Sequence, residues 1–289
     1  MQTRRDMIKT SAAALAVATA PFSLSAAKSR PKIRLGLVTY NWGKAWDLPA
    51  LLEHCADAGY EGVELRSTHA HKVEPNLTET ERKQVKALFA ASPVECTGPG
   101  TACEYHSSDP AVLKKNIADT KAFVRLCHDI GGTGIKVRPN GLPKDVPVEK
   151  TLEQIGKALN EVAAYAQDFG VQIRTEVHGR GTSEIPNMIK IMQHSDHPNS
   201  TVCWNCNRAD LEGEGLRANY LALKDRISTI HIHDLRSEKG YPWGEFFGLL
   251  KETGFSGWTL LEEGKVPSDV PAAMKEVRAA WDKLTTGAQ

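Results

Sequence analysis

Short runs of apolar and β-branched residues alternate along the chain with longer amphipathic stretches. The apolar runs predict strands at residues 33–40, 62–66, 94–101, 134–139, 171–178, 201–207, 227–235 and 258–262. The amphipathic stretches predict helices at residues 47–58, 79–91, 109–130, 148–169, 183–193, 216–225, 243–253 and 269–284. Asp47 is suited to cap the first helix, and Gly131 is suited to end the third.

Regular alternation of strands and helices is typical of parallel strands that are joined by right-handed helical crossovers. Eight such units in about 250 residues predict an α/β protein with a single closed (β/α)8 TIM barrel. An open, doubly wound sheet is the alternative, but no G-x-G-x-x-G motif follows the first strand and the chain has no P-loop motif. No linker or change of composition indicates a second domain within the barrel.

The start of the chain does not follow this alternation and has the layout of an export signal. Basic residues in segment 1–10 precede a small apolar run at residues 11–24, and Ser25-Ala26-Ala27 resembles a cleavage site. The run TRRDMIK resembles a twin-arginine signal, and the apolar run is too short to span a bilayer. We therefore expect the twin-arginine export machinery as a partner, a periplasmic location, no stable membrane span, a signal peptide at residues 1–27 and the barrel at residues 28–289.

Composition and charge narrow the classes of function. The 289 residues are 41% hydrophobic and 25% charged, which is typical of a globular protein. There are 36 basic and 35 acidic residues; removal of segment 1–27, with three basic residues and one acidic, leaves 33 against 34. This near-neutral charge argues against nucleic acid as a partner and against an endonuclease-like phosphodiesterase. Six cysteines are too few for a disulfide framework, and we interpret Cys203 and Cys206 as ordinary buried thiols.

Ionisable and amide side chains gather at the predicted carboxyl ends of six strands, the edge at which barrel enzymes place their active sites. They are Glu64, Arg66, Lys136, Arg138, Glu176, His178, Asn205, His231, His233, Asp234, Glu262 and Glu263. Because burying such groups without partners is costly, they must pair with one another or with a metal ion. Two glutamates, a histidine and an amide oxygen suit Mn²⁺, Mg²⁺, Co²⁺ or Zn²⁺, and a salt-bridged barrel mouth without metal is the alternative.

The runs GVELR, EVHG, TIHIHD and GWTLLEEG, in this order and at strand ends, resemble the xylose-isomerase-like barrel superfamily of sugar phosphate isomerases and epimerases. The resemblance covers residues 32–284. It implies that one divalent metal ion is bound at the ends of strands 5 to 8, by Glu176, Asn205, His231 and Glu262. It also implies that Glu176 and Glu262 act as the catalytic acid and base.

The resemblance extends to residues that would hold the substrate, and His106 joins them because it follows strand 3 near the barrel mouth. This set is Glu64, His106, Lys136, Arg138, His178, Arg208, His233 and Asp234. The sequence departs from the family pattern at two positions, with Asn205 in place of the usual aspartate and Arg208 where many members have histidine. Because an amide brings no negative charge, Asn205 is expected to weaken metal binding.

The resulting hypothesis is a metal-dependent isomerase or epimerase that acts on a sugar or sugar derivative. It would remove a proton next to a carbonyl group and pass through an enediolate. Export favours a scavenged carbohydrate over a sugar phosphate as the substrate. A lyase or hydrolase acting on keto-sugars or glycosides, and a catalytically degenerate carbohydrate-binding barrel, are the alternatives. The sequence leaves open the sugar, the metal and whether the chain forms a homo-oligomer.

Overall fold

Within residues 32–237 and 239–287, the part of the chain that the structure describes, eight parallel strands close into one barrel surrounded by eight α-helices. The structure is a computed structural model. Neighbouring strands follow the order of the chain, and the last strand pairs with the first. The predicted (β/α)8 barrel is therefore confirmed. The predicted signal peptide at residues 1–27 lies outside the described residues.

The bounds of the elements define the scaffold of the site. The strands are β1 (Ile33–Val38), β2 (Gly62–Arg66), β3 (Glu95–Glu104), β4 (Gly134–Arg138), β5 (Gln172–Glu176), β6 (Ser200–Asn205), β7 (Ile227–Ile232) and β8 (Gly257–Leu261). The helices are α1 (Leu48–Asp57), α2 (Glu79–Ala90), α3 (Pro110–Ile130), α4 (Val148–Gln167), α5 (Ile185–His194), α6 (Leu216–Leu223), α7 (Trp243–Glu252) and α8 (Val270–Thr286). Short 3₁₀ helices at Arg208–Leu211 and Lys224–Arg226 flank α6. Among the described residues, no helix combines the length and the apolar character needed to cross a bilayer.

The capping signals at two helix ends behave as predicted. The carboxylate of Asp47 accepts a hydrogen bond from the Ala50 backbone N–H at 3.0 Å, which satisfies one of the free N–H groups at the start of α1. Gly131 follows α3 with a φ angle of +84°, a conformation that favours glycine because a Cβ would be crowded there. These local signals do not depend on the rest of the fold.

The ends of β5 and β7 lie earlier than predicted. β5 stops at Glu176 and β7 stops at Ile232, so His178, His233 and Asp234 lie in the loops that follow. The two-residue alternation of a strand therefore does not extend to these three residues. Their side-chain directions depend on loop geometry, which the hydrophobic pattern does not encode.

Strand β3 continues past its predicted end at residue 101 and is irregular. Gly100 pairs with Lys136 on β4, but the next pair in the register is Glu104 with Arg138. Four steps along β3 thus correspond to two steps along β4, as in a bulged strand. This slip brings the side chain of Glu104 next to Arg138 at the barrel mouth.

Two glycines allow β3 to pass close to its neighbours. At Gly98, where φ is +134°, a Cβ would lie 1.7 Å from the carbonyl oxygen of Gly134 on β4. At Gly100, a Cβ would lie 2.5 Å from Oε1 of Glu64. Since real side chains cannot approach so closely, glycine at these positions makes room for β4 and for a buried carboxylate.

All six cysteines are free and buried. Burial raises the pKa of the Cys206 thiol well above its usual value, because the thiolate would lose its hydration. The interpretation of Cys203 and Cys206 as buried thiols is confirmed.

A buried carboxylate ties the loop after β6 to the loop before α7. Asp210 is fully buried, and its Oδ2 accepts hydrogen bonds from the Tyr241 hydroxyl at 2.9 Å and from the Asn207 backbone N–H at 3.0 Å. The indole N–H of Trp204 donates to the same Tyr241 hydroxyl at 3.2 Å. Burial raises the pKa of Asp210 to about 7, although both hydrogen bonds to the carboxylate oppose the rise.

This raised pKa predicts a pH-dependent loss of stability. In the unfolded chain an aspartate titrates near about 3.9. Between that value and about 7 the folded protein holds a proton on Asp210 that the unfolded chain has released, so the free energy of unfolding falls as pH rises. The variant Asp210→Asn lacks this titration and should gain stability relative to the parent protein between pH 5 and pH 8. Denaturant unfolding at both pH values measures the difference, and a difference that does not change with pH would contradict the prediction.

Candidate active site

A small polar cavity lies at the carboxyl ends of the strands. Its volume is about 170 Å³. It is lined by Tyr40, Arg66, Lys136, Arg138, Glu176, His178, Asn205 and Glu262. Seven of these residues, all except Tyr40, were singled out from the sequence because they were predicted to lie at strand ends, so strand-end polarity leads to this cavity.

Three side chains converge at the base of this cavity. Nδ1 of His231 on β7 lies 3.5 Å from Oε1 of Glu176 on β5 and 3.3 Å from Oε2 of Glu262, which follows β8. One potential ligand atom from each of the three residues lies within 4.8 Å of the others. The structure therefore brings together three of the four residues expected to bind a metal ion.

The fourth expected ligand, Asn205 at the end of β6, adjoins this group. Its Nδ2 donates to Oε1 of Glu176 at 3.2 Å, and its Oδ1 is buried without a hydrogen-bond partner among the described residues. Rotating the amide by 180° exchanges the two atoms and turns the oxygen toward Glu176, the orientation that a metal ligand requires. The position of Asn205 is thus compatible with the expected role.

Glu64 lies behind His231 and does not line the cavity. Its Oε2 is 3.3 Å from Nε2 of His231, and both side chains are almost completely buried. Because a carboxylate only accepts hydrogen bonds, Nε2 of His231 donates to Glu64, which leaves Nδ1 as the ring atom that faces Glu176 and Glu262 and would bind a metal ion. The structure does not bring Glu64, which was expected to bind substrate, to the cavity; it places the carboxylate where it orients the imidazole, as carboxylates behind metal-binding histidines do.

A buried ion pair completes the centre, the group formed by Glu64, Lys136, Glu176, Asn205, His231 and Glu262. Nζ of Lys136 on β4 donates to Oε2 of Glu176 at 2.7 Å, and each side chain is only 2% exposed. The carboxylates of Glu64, Glu176 and Glu262 face this single ammonium group. Further positive charge would stabilise these carboxylates, because they lie in a region of low exposure where unpaired charge is costly.

The pKa shifts in the centre result from two opposing effects, which are the loss of hydration on burial and the interaction with nearby charges. Burial favours the neutral form of Glu176, but the Lys136 ammonium and His231 hold its pKa well below the usual value. Burial also disfavours the imidazolium form of His231, yet the carboxylates of Glu64 and Glu262 raise its pKa well above the usual value. Desolvation lowers the pKa of Lys136, but the surrounding carboxylates outweigh it, so the net shift is upward. The site attracts positive charge.

Several residues expected to bind substrate lie outside the cavity. Arg208 is 93% exposed and is paired only loosely with Glu212, because it begins a 3₁₀ helix that faces solvent. Asp234 is bound to Arg236 in the loop after β7. His233 in the same loop donates from Nδ1 to the backbone carbonyl of Glu262 at 2.7 Å, so it supports the end of β8. None of these three side chains lines the cavity, so the structure does not support the substrate contacts expected for them.

His106 lies in an open groove beside the cavity. The groove is also lined by Ser107, Ser108, Asn140, Gly141, Leu142, Pro143 and Arg180. Nδ1 of His106 is 3.9 Å from Oε2 of Glu104, which is too far for a hydrogen bond. The expected contact of His106 with a ligand in the central cavity is not supported by this placement.

Four residues at the site were not among those expected to bind substrate. Arg66 lines the cavity at the end of β2; it was identified as a strand-end residue but was given no substrate role. Tyr40 lines the cavity after β1, at the end of the predicted strand 33–40, where the same criterion would have found it. Glu104 and Asn140 lie just beyond the cavity wall and carry hydrogen bonds to residues that line it. Glu104 was missed in the sequence because the end of β3 is irregular and the alternation of that strand is weak.

Comparison with known proteins agrees with this arrangement. Residues 52–284 match the family described as the xylose isomerase-like TIM barrel. The chain belongs to this family. Because the match covers most of the barrel, it includes the strands that carry the central residues.

Three solved structures illustrate the shared fold. The 3-keto-D-glucoside 4-epimerase of E. coli has a TM-score of 0.72 and 13% sequence identity, covering 88% of this chain and 100% of that chain. D-psicose 3-epimerase from Clostridium cellulolyticum H10, solved with D-tagatose, has a TM-score of 0.69 and 18% identity, covering 89% and 92%. The IolI protein, solved with a zinc atom, has a TM-score of 0.74 and 16% identity, covering 89% and 99%. At these identities the similarity establishes a common fold.

The family implies a divalent metal, and the residues of the xylose isomerase-like centre fit one. Nδ1 of His231 is buried without a hydrogen-bond partner among the described residues, which is unusual unless another group satisfies it. The rotated amide of Asn205 would present its oxygen beside Glu176. The carboxylates of Glu176 and Glu262 supply the negative charge. Nitrogen and oxygen donors of this kind suit Zn²⁺, Mn²⁺ or Co²⁺.

Replacement of one carboxylate tests whether this group of residues binds a metal ion. Glu262→Gln loses a negative charge that faces His231 and should release the metal ion, whereas Asn205→Asp adds a charge and should bind the ion more tightly. Elemental analysis and calorimetric titration of purified protein with Zn²⁺ and Mn²⁺ measure both effects. Glu263→Gln is the matched control, because this neighbouring carboxylate is not part of the converging group and its replacement should leave binding unchanged. Equal binding by the Glu262 and Glu263 variants would refute the assignment.

Proposed function

We propose that the protein is a metal-dependent isomerase or epimerase of a sugar or sugar derivative, which removes a proton from the carbon next to a carbonyl group. The observation that supports this most directly is the convergence of Glu176, His231 and Glu262 at the base of a polar cavity. Sugar epimerases among the solved structures with the same barrel support the same class of reaction.

The cavity suits a small ligand rich in hydroxyl groups. Its volume of about 170 Å³ is below the usual range for drug-sized ligands, roughly 300–1,000 Å³. Its lining is dominated by charged and amide side chains. An apolar ligand would leave these groups unpaired, whereas sugar hydroxyls can satisfy them.

Glu176, Asn205, His231 and Glu262 would hold the metal ion. When bound, a divalent ion polarises a carbonyl group and stabilises the negative charge that develops on its oxygen. The protein contributes the orientation of the ligands, above all through Glu64, which holds Nε2 of His231 so that Nδ1 faces Glu176 and Glu262.

The two glutamates differ in their surroundings, and this suggests different parts in proton transfer. Oε2 of Glu176 already accepts a hydrogen bond from the Lys136 ammonium, which lowers its basicity. Glu262 is 14% exposed and lines the cavity; its Oε2 faces Nδ1 of His231 at 3.3 Å, but no lysine or arginine among the described residues donates to it. We therefore assign Glu262 as the base that removes the proton and the Glu176–Lys136 pair as the group that returns one.

The remaining lining residues would position the sugar. Lys136, Arg138 and His178 were expected from the sequence to hold substrate oxygens, and all three face the cavity. Tyr40 and Arg66 extend this set on the opposite strands of the barrel. Positioning of this kind lowers the entropy cost of reaching the reactive geometry.

Deuterium exchange tests the reaction class directly. Metal-loaded protein, prepared from residue 28 onward, is incubated in D₂O with a panel of ketoses, aldoses and 3-keto-glycosides, and NMR follows exchange at the carbon beside the carbonyl. Glu262→Gln removes the assigned base together with a metal ligand, so it should reduce the exchange rate by at least roughly 10²–10⁴-fold, the usual contribution of a general base alone. Glu263→Gln should exchange at the rate of the parent protein.

Two outcomes would contradict the proposal. Cleavage of a keto-glycoside without an isomerised product would indicate a lyase or hydrolase. Sugar binding that is never followed by exchange or turnover would indicate a degenerate carbohydrate-binding barrel, for which the uncharged Asn205 is the motivating observation.

We also propose that residues 1–27 direct export of the folded barrel to the periplasm by the twin-arginine route. Support comes from the layout of the segment and from a barrel whose cysteines are all free, so that folding before export needs no disulfide formation. Replacement of Arg4 and Arg5 by lysine should retain the protein in the cytoplasm, and cell fractionation measures this. Periplasmic accumulation of that variant at the parent level would refute the route.

A further inference from the structure

His178 lies at the edge of the cavity with one ring nitrogen engaged and the other free. Its Nδ1 is 2.8 Å from Oδ1 of Asn140, in the loop after β4. Its Nε2 has no hydrogen-bond partner among the described residues, while the ring lines the cavity. Which ring nitrogen of His178 carries the proton therefore depends on whether Asn140 presents an acceptor or a donor to Nδ1.

Asn140 is held in turn by Glu104 at the irregular end of β3. Nδ2 of Asn140 donates to Oε1 of Glu104 at 2.6 Å. Because a carboxylate only accepts, the NH₂ group of Asn140 must face Glu104, and its oxygen must face His178. That oxygen also only accepts, so Nδ1 of His178 must carry the proton and Nε2 of the neutral ring must present a lone pair.

The surroundings hold this chain of hydrogen bonds in place. Nη2 of Arg138 donates to the same Oε1 of Glu104 at 2.5 Å, which fixes the carboxylate from a second side. Asn140 has a φ angle of +61°, a left-handed conformation that asparagine tolerates better than most residues. The loop thus maintains an unusual backbone conformation at the residue that links Glu104 to His178.

We propose that Glu104 and Asn140 are positioning residues that set the tautomer of His178, so that Nε2 accepts a hydrogen bond from a substrate hydroxyl. The substrate in this statement rests on the proposed function, whereas the tautomer follows from the hydrogen bonds alone. Neither Glu104 nor Asn140 touches the central cavity. They act through His178 and not on the reacting atoms.

Histidine NMR tests the tautomer without any assay of activity. Two-bond ¹H–¹⁵N correlations of ¹⁵N-histidine-labelled protein, above about pH 8 where an ordinary imidazole is neutral, distinguish protonated from unprotonated ring nitrogens. The His178 signals are assigned by their loss in His178→Gln. We expect the Nδ1–H form in the parent protein.

Two variants should change this signature. Asn140→Gly removes the amide and keeps the left-handed backbone accessible, and Glu104→Gln removes the group that dictates the amide orientation. Both should convert His178 to a mixture that contains the Nε2–H form. Glu95→Gln is the matched control, because Glu95 lies at the opposite end of β3 and also pairs with an arginine, Arg34. An Nε2–H form in the parent protein, or an unchanged signature in both variants, would overturn the proposal.

Kinetics add a second readout. With a substrate that the metal-loaded enzyme turns over, Asn140→Gly and Glu104→Gln should lower kcat/KM by roughly 10–100-fold, as loss of a supporting hydrogen bond does elsewhere, while Glu95→Gln should not. An unchanged kcat/KM in both variants would overturn the link to catalysis. If no sugar reacts but the tautomer responds as expected, the proposed reaction fails and the positioning by Glu104 and Asn140 stands.

Discussion

The centre of this barrel is organised around one constraint, which is that several carboxylates lie close together with little access to water. Glu64, Glu176 and Glu262 meet at His231, where little water reaches them. Carboxylates so placed repel one another unless positive charge lies between them. Lys136 supplies one such charge against Glu176, and Nδ1 of His231 faces the space between Glu176 and Glu262 where a metal ion would supply more. The same constraint accounts for the upward pKa shifts of Lys136 and His231.

The irregular strand β3 determines which side chains surround this centre. Glycine at residues 98 and 100 lets the strand approach β4 and leaves space for the buried carboxylate of Glu64. The slipped register then delivers Glu104 to the barrel mouth, beside Arg138 and within reach of Asn140. A regular strand of the same length would place different side chains there. One local departure from ideal geometry therefore connects the inner centre to the hydrogen bonds that hold His178.

The residues that the structure brings together as the strand pattern predicted share a physical basis. Glu176, Asn205 and His231 lie within strands, so the strand periodicity and the closed barrel already determine that they meet at one edge. Arg208, His233 and Asp234 lie beyond the strands, where neighbouring charges and carbonyl groups decide side-chain direction. Glu64 is a mixed case, since its position at the mouth followed from the strand, whereas its contact with His231 depended on packing across the barrel.

The sequence by itself determined the barrel, the capped helix ends and the set of strand-end side chains from which the site is built. Hydrophobic periodicity and capping are local properties, which explains why they could be read without a structure. Only the tertiary structure decided the partners: Glu64 with His231, Lys136 with Glu176, and Glu104 with Asn140. Each of these pairs joins residues from different strands or loops, far apart in the chain. Their distances depend on strand register and on the close approach that glycine permits, and neither is encoded in a local pattern.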